Sequence, residues 1–296
     1  MTQAVDKRVL VTGARGQLAR ALLKTAPAGA ECIGMTRAEI DITDEAAVHG
    51  AITRVHPDLV INGAAYNLVD KAEADGMQDA FNINALGVAR LSRACREVNI
   101  PLVHFSTDFV FDGEKRTPYT ENDRTAPLGV YGASKLAGEN IALAGSSRNF
   151  AIRVCRLYGP TEPEGSGSPQ KPSGNFALLM LRLARERGTV RVVNDQVGTP
   201  TYTPDLAAAV WQLLECADGG LFQLSNAGEV AFDEYAREIF RLAGVECAVE
   251  PISSQEYSAP ARRPLYSTLS NQKASAAGVI PLRHWRDALA KFIAQL

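Results

Sequence analysis

A tyrosine and a lysine at helical spacing are the residues of this sequence best suited to proton chemistry. Tyr131 and Lys135 stand four positions apart in the run YGASK. If this run is helical, both side chains lie on one face, a single turn apart. A nearby ammonium stabilises a phenolate, which would lower the pKa of Tyr131 from roughly 10 towards working pH. The pair therefore predicts a side chain that exchanges a proton during hydride chemistry.

A hydroxyl group at the end of a predicted strand complements that pair. Thr107 follows the apolar run PLVHFS and precedes Asp108. In a parallel sheet of this kind, side chains at the carboxyl ends of the strands meet the ligand cleft. A hydroxyl there can hydrogen-bond a substrate carbonyl and help to polarise it. YxxxK alone is common, and it is the combination with this strand end that indicates a catalytic site.

A glycine-rich turn predicts a dinucleotide site. Gly13 and Gly16, in the run GARGQLA, directly follow the apolar run Lys7–Thr12. The first glycine permits a tight turn, and the second lets the backbone approach a pyrophosphate at a helix N-terminus. The GxxGxxA spacing differs from the commoner GxGxxG, with Ala19 as the small residue for close helix–strand packing. Such turns also occur without a ligand, but at the start of a strand–helix series phosphate binding is favoured.

Two arginines indicate which dinucleotide binds. An acid about 20 residues after the glycines would hold the ribose 2′-hydroxyl of NAD, but Arg37 stands in that region. Arg15 lies within the glycine turn. Because arginine pairs bidentately with phosphate oxygens, the two arginines predict that the cofactor is NADPH. Two alternatives are left open: that NADH binds, and that both arginines are simply solvated surface residues. Asp41 is a candidate partner of the adenine amino group, and Ala64 and Ala65 are small residues where a cofactor would cross the sheet edge.

The elements that must position these residues alternate between short apolar runs and amphipathic stretches, as in a parallel sheet with crossover helices. The predicted strands are Lys7–Thr12, Glu31–Met35, Asp58–Asn62, Pro101–Ser106, Phe150–Leu157 and Val190–Val193. The predicted helices begin near Gly16 and then cover Asp44–Arg54, Met77–Glu97, Tyr131–Ala144, Phe176–Glu186, Thr203–Leu214, Phe232–Leu242 and His284–Ala294. We expect an α/β fold, a Rossmann-like doubly wound parallel sheet with a smaller C-terminal α/β substrate lobe. The Pro/Gly/Ser-rich run 159–174 is expected to be a surface loop.

Composition excludes several classes of function. The 296 residues carry 31 Lys+Arg against 33 Asp+Glu, a net charge of −2, so no bulk positive field favours nucleic acid or an anionic membrane. No apolar run is long enough to span a bilayer, and the start of the chain lacks the apolar core of a signal peptide. Five scattered cysteines without CxxC spacing indicate a reducing cytoplasm. Four histidines, none at ligand spacing, predict no metal site.

Taken together, the motifs resemble the extended short-chain dehydrogenase/reductase superfamily and, more closely, the dTDP-4-dehydrorhamnose reductase family of nucleotide-sugar reductases. The likeness covers nearly the whole chain and rests on GARGQLA, DITD, VINGAAYNLVDKAE, STDFVFDG, YGASK, NDQVGTPT and ARRP. The resemblance implies NADPH-dependent reduction of a 4-keto-6-deoxy sugar on a nucleotide, dTDP-4-dehydrorhamnose to dTDP-L-rhamnose or a related dTDP-deoxysugar. It also implies an NADP-binding domain mainly over residues 1–158 and a sugar-nucleotide lobe mainly over 159–296, with some segments returning to the first domain.

The resemblance implies roles for individual residues. Tyr131 would protonate the C4 oxygen, Lys135 would lower its pKa and hold the nicotinamide ribose, and Thr107 would polarise the carbonyl. Asn84 matches the superfamily's structural asparagine, which can support a proton relay. Cofactor contacts are expected from Gly13, Arg15, Gly16, Gln17, Leu18, Arg37, Asp41, Ile42, Ala64 and Ala65 as well as Tyr131 and Lys135. Substrate contacts are expected from Asp108, Phe109, Arg156, Asn175 and Arg262, the last of them towards the pyrophosphate, although a surface role for Arg262 is left open.

Three departures from the family pattern border the sugar pocket. Phe109 stands where the family has the tyrosine of STDYVFDG, and Arg156 where a tryptophan often contacts substrate. The loop 159–174 is longer than usual. Some relatives bind magnesium at a dimer interface through a glutamate of the first helix, but Ala21 occupies that position here and predicts no such metal site.

Two other functions are weighed against reduction. A dehydratase or epimerase on this scaffold would keep NAD bound, but Phe109 stands where a dehydratase needs a glutamate, and Arg15 and Arg37 disfavour NAD. A non-catalytic regulatory subunit, resembling that of methionine adenosyltransferase, would retain the fold and the nucleotide site. Thr107, Tyr131 and Lys135 are all present, which favours the enzyme. A homodimer is a further expectation.

Overall fold

Six parallel strands form the centre of the fold. The computed structural model describes residues 7–161 and 174–296. Over residues 7–161 the elements are β1 (Lys7–Thr12), α1 (Gln17–Lys24), β2 (Ala30–Met35), α2 (Glu45–Val55), β3 (Leu59–Asn62), α3 (Val69–Glu73), α4 (Met77–Phe81), α5 (Val88–Glu97), β4 (Leu102–Thr107), α6 (Val130–Gly145), β5 (Phe150–Val154) and β6 (Leu157–Tyr158). Over residues 174–296 they are α7 (Phe176–Glu186), β7 (Thr189–Val193), β8 (Val197–Gly198), β9 (Thr201–Tyr202), α8 (Thr203–Cys216), β10 (Gly220–Gln223), β11 (Val230–Ala231), α9 (Phe232–Ala243), β12 (Ala248–Ile252), α10 (Ser254–Tyr257), α11 (Gln272–Ala276) and α12 (Trp285–Ile293).

The strand order in the sheet creates a crevice beside β1. The order is β2-β1-β3-β4-β5-β10, and all neighbours are parallel. The chain builds the sheet in one direction from β1 to β2 and in the other from β3 onwards. Loops after β1 and β3 therefore diverge, which leaves room for a ligand at the carboxyl ends of these strands. The predicted α/β fold with a doubly wound parallel sheet is confirmed.

Helices cover both faces of this sheet because its strands are apolar on both sides. Val9 and Val11 of β1 pack in the core that includes α1 and α8. Leu10 faces the opposite way and packs with α2 and α5. All three side chains are fully buried. The alternation along one strand thus anchors one helical layer on each face.

A separate apolar core lies in the C-terminal half. It joins α7, β7, α9 and α12 through a set of buried aromatic residues, Tyr158, Tyr202, Tyr235, Phe240, Trp285 and Phe292. β7 pairs in parallel with β12, β6 in parallel with β9, and β8 antiparallel with β11. These short pairings form the smaller lobe beside the central sheet.

Strand β10 returns the C-terminal half of the chain to the central sheet, where it pairs with β5. No strand was predicted there. Only four residues are involved, and they follow Gly219, whose φ of +147° is accessible mainly to glycine. Four residues carry too few side chains for a detectable period, so the position of this strand is decided by its neighbour.

The predicted helix Met77–Glu97 is interrupted. Between α4 and α5, residues Asn82–Gly87 form a turn of wider π-type helix. There the side chain of Asn84 donates to the carbonyl oxygen of Tyr66 and accepts from its N–H, both at 2.9 Å. Helical periodicity is nearly unchanged by such a turn, so the apolar pattern did not predict it.

The predicted strand Phe150–Leu157 ends early, at Val154. Arg156 has a φ of +47°, which breaks the strand and turns the chain into β6. Its guanidinium donates to the carbonyl oxygens of Val230 and Gln196, each at 3.0 Å, and stacks over the ring of Phe232 at 3.8 Å. These distant contacts compensate for the strained backbone, and nothing in the local sequence indicates them.

Most of the predicted loop 159–174 lies outside the described residues. In the remainder of the chain, no helix is both long and apolar enough to cross a bilayer.

Candidate active site

The turn after β1 is shaped by a close approach of two backbones. Gly13 has a φ of +65°, and a Cβ at this position would lie 2.7 Å from the amide nitrogen of Ala64, the segment that follows β3. Only glycine satisfies both conditions. The N–H of Gly16 donates to the carbonyl oxygen of Gly13 at 2.8 Å and closes the turn. The amide of Ala64 donates to Thr12 and Asn62, while Ala65 is exposed at the rim.

Helix α1 begins at this turn with a free N-terminus. Gln17 is its first residue, Leu18 is buried beneath it, and Gly16 provides no side-chain cap. Its first turn contains no acidic residue. The N–H groups of a first helical turn lack partners inside the helix and attract anions. This end of α1 therefore fits the phosphates of a dinucleotide, as GARGQLA predicted.

Arginines surround the end of β2. Arg37 is three-quarters exposed, and its Nε lies 3.0 Å from Asp41 Oδ2. Arg15 is exposed and close to Glu39: hydrogen bonds from Thr36 are the main cause of the lowered pKa of Glu39, and the charge of Arg15 adds to it. Two guanidiniums thus lie within the region where a 2′-phosphate would sit, and both are accessible.

Two residues expected to contact the cofactor have other partners in the structure. Asp41 accepts hydrogen bonds from the N–H and hydroxyl of Thr43, and Oδ2 accepts from Arg37. Ile42 is buried and packs beside Gly87 in the π-type turn. The side chain of Asp41 therefore orients Arg37, and that of Ile42 supports the turn carrying Asn84.

The predicted catalytic residues converge where β4 meets α6. The Thr107 hydroxyl lies near the phenol of Tyr131 and influences its pKa, and the ring of Phe109 contacts Tyr131 edge-on at 5.5 Å. Lys135 lies one turn further along α6 and is 3% exposed. Its ammonium donates to the carbonyl oxygen of Phe105 at 2.5 Å. Tyr131 and Lys135 thus share one face of a helix, as their spacing predicted.

The pKa of Tyr131 is raised and not lowered as expected from the sequence. Burial raises the pKa of Tyr131 to about 12, the nearby Thr107 hydroxyl opposes this, and the charge of Asp108 raises it further. Burial lowers the pKa of Lys135 to about 8, and the charge of Glu139 opposes this. The lowering expected from Lys135 is absent because its ammonium points at the Phe105 carbonyl, and burial dominates.

Asn84 lies behind the catalytic helix. It is 1% exposed and donates to the hydroxyl of Ser134, which in turn donates to the carbonyl oxygen of Tyr131. Together with its two bonds to Tyr66, this satisfies the whole amide. Asn84 thereby ties the π-type turn to the first turn of α6.

The residues expected to contact substrate do not share one surface. Arg262 is exposed and lines a small pocket with Tyr131 and Phe109. Asp108 is buried beneath Thr107, and Arg156 is held by backbone carbonyls. Asn175 caps α7 through Leu178 N–H, and its amide donates to Gln17 and to the Gly159 carbonyl oxygen. Phe109 and Arg262 border the catalytic pair, whereas Asn175 joins the glycine turn to the smaller lobe.

Glu73 contributes to the site by capping the catalytic helix α6, and the sequence did not indicate this role. Its Oε1 accepts from the Val130 N–H at 2.6 Å, at the start of α6, where Gly129 offers no side-chain cap. It also lines the pocket with Tyr131 and Arg262. It lies in the run VDKAE, 57 residues before the helix it caps, and no local signal connects the two.

We expect Glu73→Ala to lower the free energy of unfolding by about 1 kcal/mol, because the Val130 N–H in the first turn of α6 loses its side-chain acceptor. Urea denaturation of Glu73→Ala, Glu73→Gln and the exposed loop variant Glu246→Ala measures this. Glu73→Gln retains an acceptor and should lose less. Equal stability of Glu73→Ala and Glu246→Ala would show that the contact is not a cap.

Among residues 7–161 and 174–296, no cluster of three or more histidine, cysteine or acidic side chains could hold a metal ion. Ala21, at the position of the relatives' glutamate, is buried in α1.

Comparisons with known proteins identify the family. The family model described as RmlD substrate binding domain matches residues 7–296. The chain is 40% identical over 292 residues to a dTDP-4-dehydrorhamnose reductase of Mycolicibacterium smegmatis, covering 97% of this chain and 85% of that protein. It is 37% identical over 287 residues to a dTDP-4-keto-6-deoxy-D-glucose reductase of Streptomyces niveus, covering 96% of both.

Solved structures agree. A dTDP-4-dehydrorhamnose reductase from Bacillus anthracis in complex with NADP superposes with a TM-score of 0.91 at 33% identity, covering 98% of this chain and 99% of that one. A Thermus thermophilus UDP-glucose 4-epimerase with NAD, at 23% identity and a TM-score of 0.79, shares the fold alone. The predicted resemblance is confirmed: the chain belongs to the RmlD substrate binding domain family, among the dTDP-4-dehydrorhamnose reductases.

Proposed function

We propose that this chain is an NADPH-dependent reductase of a nucleotide-linked 4-keto-6-deoxy sugar. Its substrate is dTDP-4-dehydrorhamnose, reduced to dTDP-L-rhamnose, or a related dTDP-deoxysugar precursor. The observation that carries the proposal is that Thr107, Tyr131 and Lys135 meet at the same carboxyl edge of the parallel sheet as the uncapped N-terminus of α1. Family membership and the NADP bound to the Bacillus anthracis relative support it.

The residues around α1 fit NADPH. Gly13 and Gly16 leave the backbone open to the pyrophosphate, and Arg15 and Arg37 offer two charges for the 2′-phosphate. When bound, NADPH supplies the hydride for the carbonyl carbon. Ala65 is exposed at the same edge of the sheet. The nucleotide contacts come from the domain of residues 1–158.

Two side chains then act on the carbonyl oxygen. Thr107 donates a hydrogen bond that polarises it, and Tyr131 transfers its hydroxyl proton to it as negative charge develops. A phenol whose pKa is raised to about 12 is fully protonated at neutral pH and ready to act as the acid. Lys135, one turn along the same helix, is placed to hold the nicotinamide ribose when the cofactor is bound. Asn84 holds the backbone of Tyr131 through Ser134.

Residues of both domains supply the remaining contacts. Arg262 and Phe109 border Tyr131, so they are placed to meet the sugar and the pyrophosphate. Asn175 reaches the nucleotide side through its bond to Gln17. Arg156 acts indirectly, by holding the backbone carbonyls of Val230 and Gln196. The homodimer and the cytoplasmic location stay predictions, to be tested by light scattering and by cell fractionation.

We expect rapid NADPH oxidation, followed at its absorbance band, when the protein is given dTDP-4-keto-6-deoxy-L-mannose made in situ by upstream enzymes, with dTDP-L-rhamnose as the product. Reactions without the sugar nucleotide, and with NADH in place of NADPH, are the controls. Binding of NADPH without oxidation by any keto-sugar nucleotide, together with co-purification of a stoichiometric partner, would instead support the regulatory subunit. Tightly retained NAD would support an epimerase.

A further inference from the structure

A buried carboxylate lies directly behind the proposed polarising hydroxyl. Asp108 is 3% exposed and begins the short 3-10 turn that follows β4. Its Oδ1 accepts from the hydroxyl of Thr107 at 3.0 Å. Its Oδ2 accepts from the thiol of Cys155, at the end of β5, at 3.1 Å. The hydroxyl of Ser267 lies 3.9 Å from the Cys155 sulfur and lowers the pKa of the Asp108 carboxyl.

This cluster is fully enclosed. Cys155 and Ser267 are at most 1% exposed, and they come from two different parts of the chain. Both carboxylate oxygens of Asp108 have partners inside the protein, and the side chain is 3% exposed. The carboxylate therefore acts on the reaction only through Thr107, and not as the sugar contact expected from its position in STDFVFDG.

Thr107 has a single proton and several neighbours. Its oxygen already accepts from the Phe109 N–H at 3.2 Å. With Asp108 ionised, the Thr107 proton points at the carboxylate, and the oxygen can only accept from Tyr131. With Asp108 protonated, the acid can donate to Thr107, and the Thr107 proton becomes available to a carbonyl oxygen in the cleft. Towards the cleft, Thr107 is therefore a hydrogen-bond acceptor when Asp108 is ionised and a donor when Asp108 is protonated.

We propose that Asp108 is a positioning residue of the reduction, which sets the direction of the Thr107 hydroxyl hydrogen bond. This inference rests on the proposed function. Thr107 polarises the carbonyl only when its proton is released from Asp108, so the protonated carboxyl is the productive form. The thiol of Cys155 holds the carboxyl in this position, and Ser267 lies beside that thiol.

The surroundings of Asp108 favour that form. Burial raises the pKa of its carboxyl, opposed by hydrogen bonds from Ser267, Cys155 and Thr107 and by the charge of Arg156. The other titratable groups facing it are Tyr131 on α6 and the thiol of Cys155, whose pKa burial raises so that it stays a neutral donor. Since the pKa is raised above its usual range, the productive form persists to higher pH and is lost as pH rises through it.

The kcat–pH profile of the reductase, measured with NADPH and the keto-sugar nucleotide, tests the proposal. Wild-type kcat should fall by about tenfold as pH rises through the Asp108 titration, and this fall forms the alkaline limb of the pH profile. Asp108→Asn can donate to Thr107 at every pH and should remove this limb, with KM for the sugar nucleotide within about twofold. Asp112→Asn, which loses a carboxylate four residues away, should keep the limb. Cys155→Ala loses a donor to the carboxylate, which should raise the pKa of Asp108 and move the limb to higher pH. Cys155→Ser keeps a donor and should return the limb to its wild-type position.

Two results would overturn the proposal. One is an unchanged limb in Asp108→Asn, and the other is an effect on KM alone, which would make Asp108 a substrate contact. Carbon-13 NMR titration of the Asp108 carboxyl needs no substrate: Thr107→Val, which loses a donor, should raise its pKa, and an unchanged pKa would contradict the coupling. If the wild type shows no turnover, the proposed function fails, while this titration still decides whether Asp108 and Thr107 are linked.

Discussion

Replacing Tyr131 by phenylalanine is expected to lower kcat by about 10²–10⁴-fold, the usual contribution of a positioned general acid. The hydroxyl is the only group removed, and it is the proposed proton donor. The ring keeps its edge-on contact with Phe109. Lys135 keeps its bond to the Phe105 carbonyl, so NADPH affinity should stay within about twofold. Steady-state NADPH oxidation and NADPH fluorescence titration measure the two quantities.

The matched control is Tyr257→Phe, which removes a hydroxyl from an exposed side chain of α10 and should leave both quantities unchanged. Because the Tyr131 hydroxyl lies near Thr107, the unfolding curve of Tyr131→Phe should also be recorded. Activity within a few-fold of the wild type in a stable variant would show that another group protonates the sugar.

Exchanging Arg37 for aspartate is expected to lower the ratio of kcat/KM for NADPH to that for NADH by about 10²-fold. The loss of one charge-assisted bond to a 2′-phosphate corresponds to about 1.5–3 kcal/mol, or roughly 10–100-fold. The new carboxylate adds repulsion of the phosphate and can accept from a free 2′-hydroxyl. Arg37 is three-quarters exposed, so the exchange should not disturb the core.

Arg37→Gln separates the two effects, since it removes the charge without adding an acid and should lower the ratio by a smaller factor. Arg116→Asp, the same charge reversal at an exposed site between β4 and α6, is the control. An unchanged ratio in Arg37→Asp would mean that Arg37 does not meet the 2′-phosphate, and Arg15 would become the residue to exchange.

Elements with strong periodic patterns were predicted well. The strand Lys7–Thr12 and the helix Phe176–Glu186 have the bounds expected from the sequence. Most other predicted strands and helices differ by one or two residues at their ends. The features that the sequence did not predict are created by distant contacts: the π-type turn that contains Asn84, and the left-handed backbone of Arg156. Neither changes the local apolar period enough to be seen in advance.

The candidate site divides in the same way. The sequence placed Tyr131 and Lys135 on one helical face and Gly13 at a tight turn, because spacing and residue type decide these properties. It did not indicate Glu73, whose partner lies 57 residues away. Nor did it indicate the direction of the Lys135 ammonium, which depends on a strand carbonyl of β4.

By itself, the sequence determined the alternation of strands and helices, the glycine turn and the residues that carry the chemistry, all of which follow from short-range spacing. The tertiary structure alone decided where individual side chains point. Asp108 follows Thr107 directly in the chain, yet it is buried against Cys155 and Ser267 while Thr107 meets Tyr131. Hydrogen bonds between segments brought together by folding select one orientation among several that the local chain permits, so no local pattern encodes that choice.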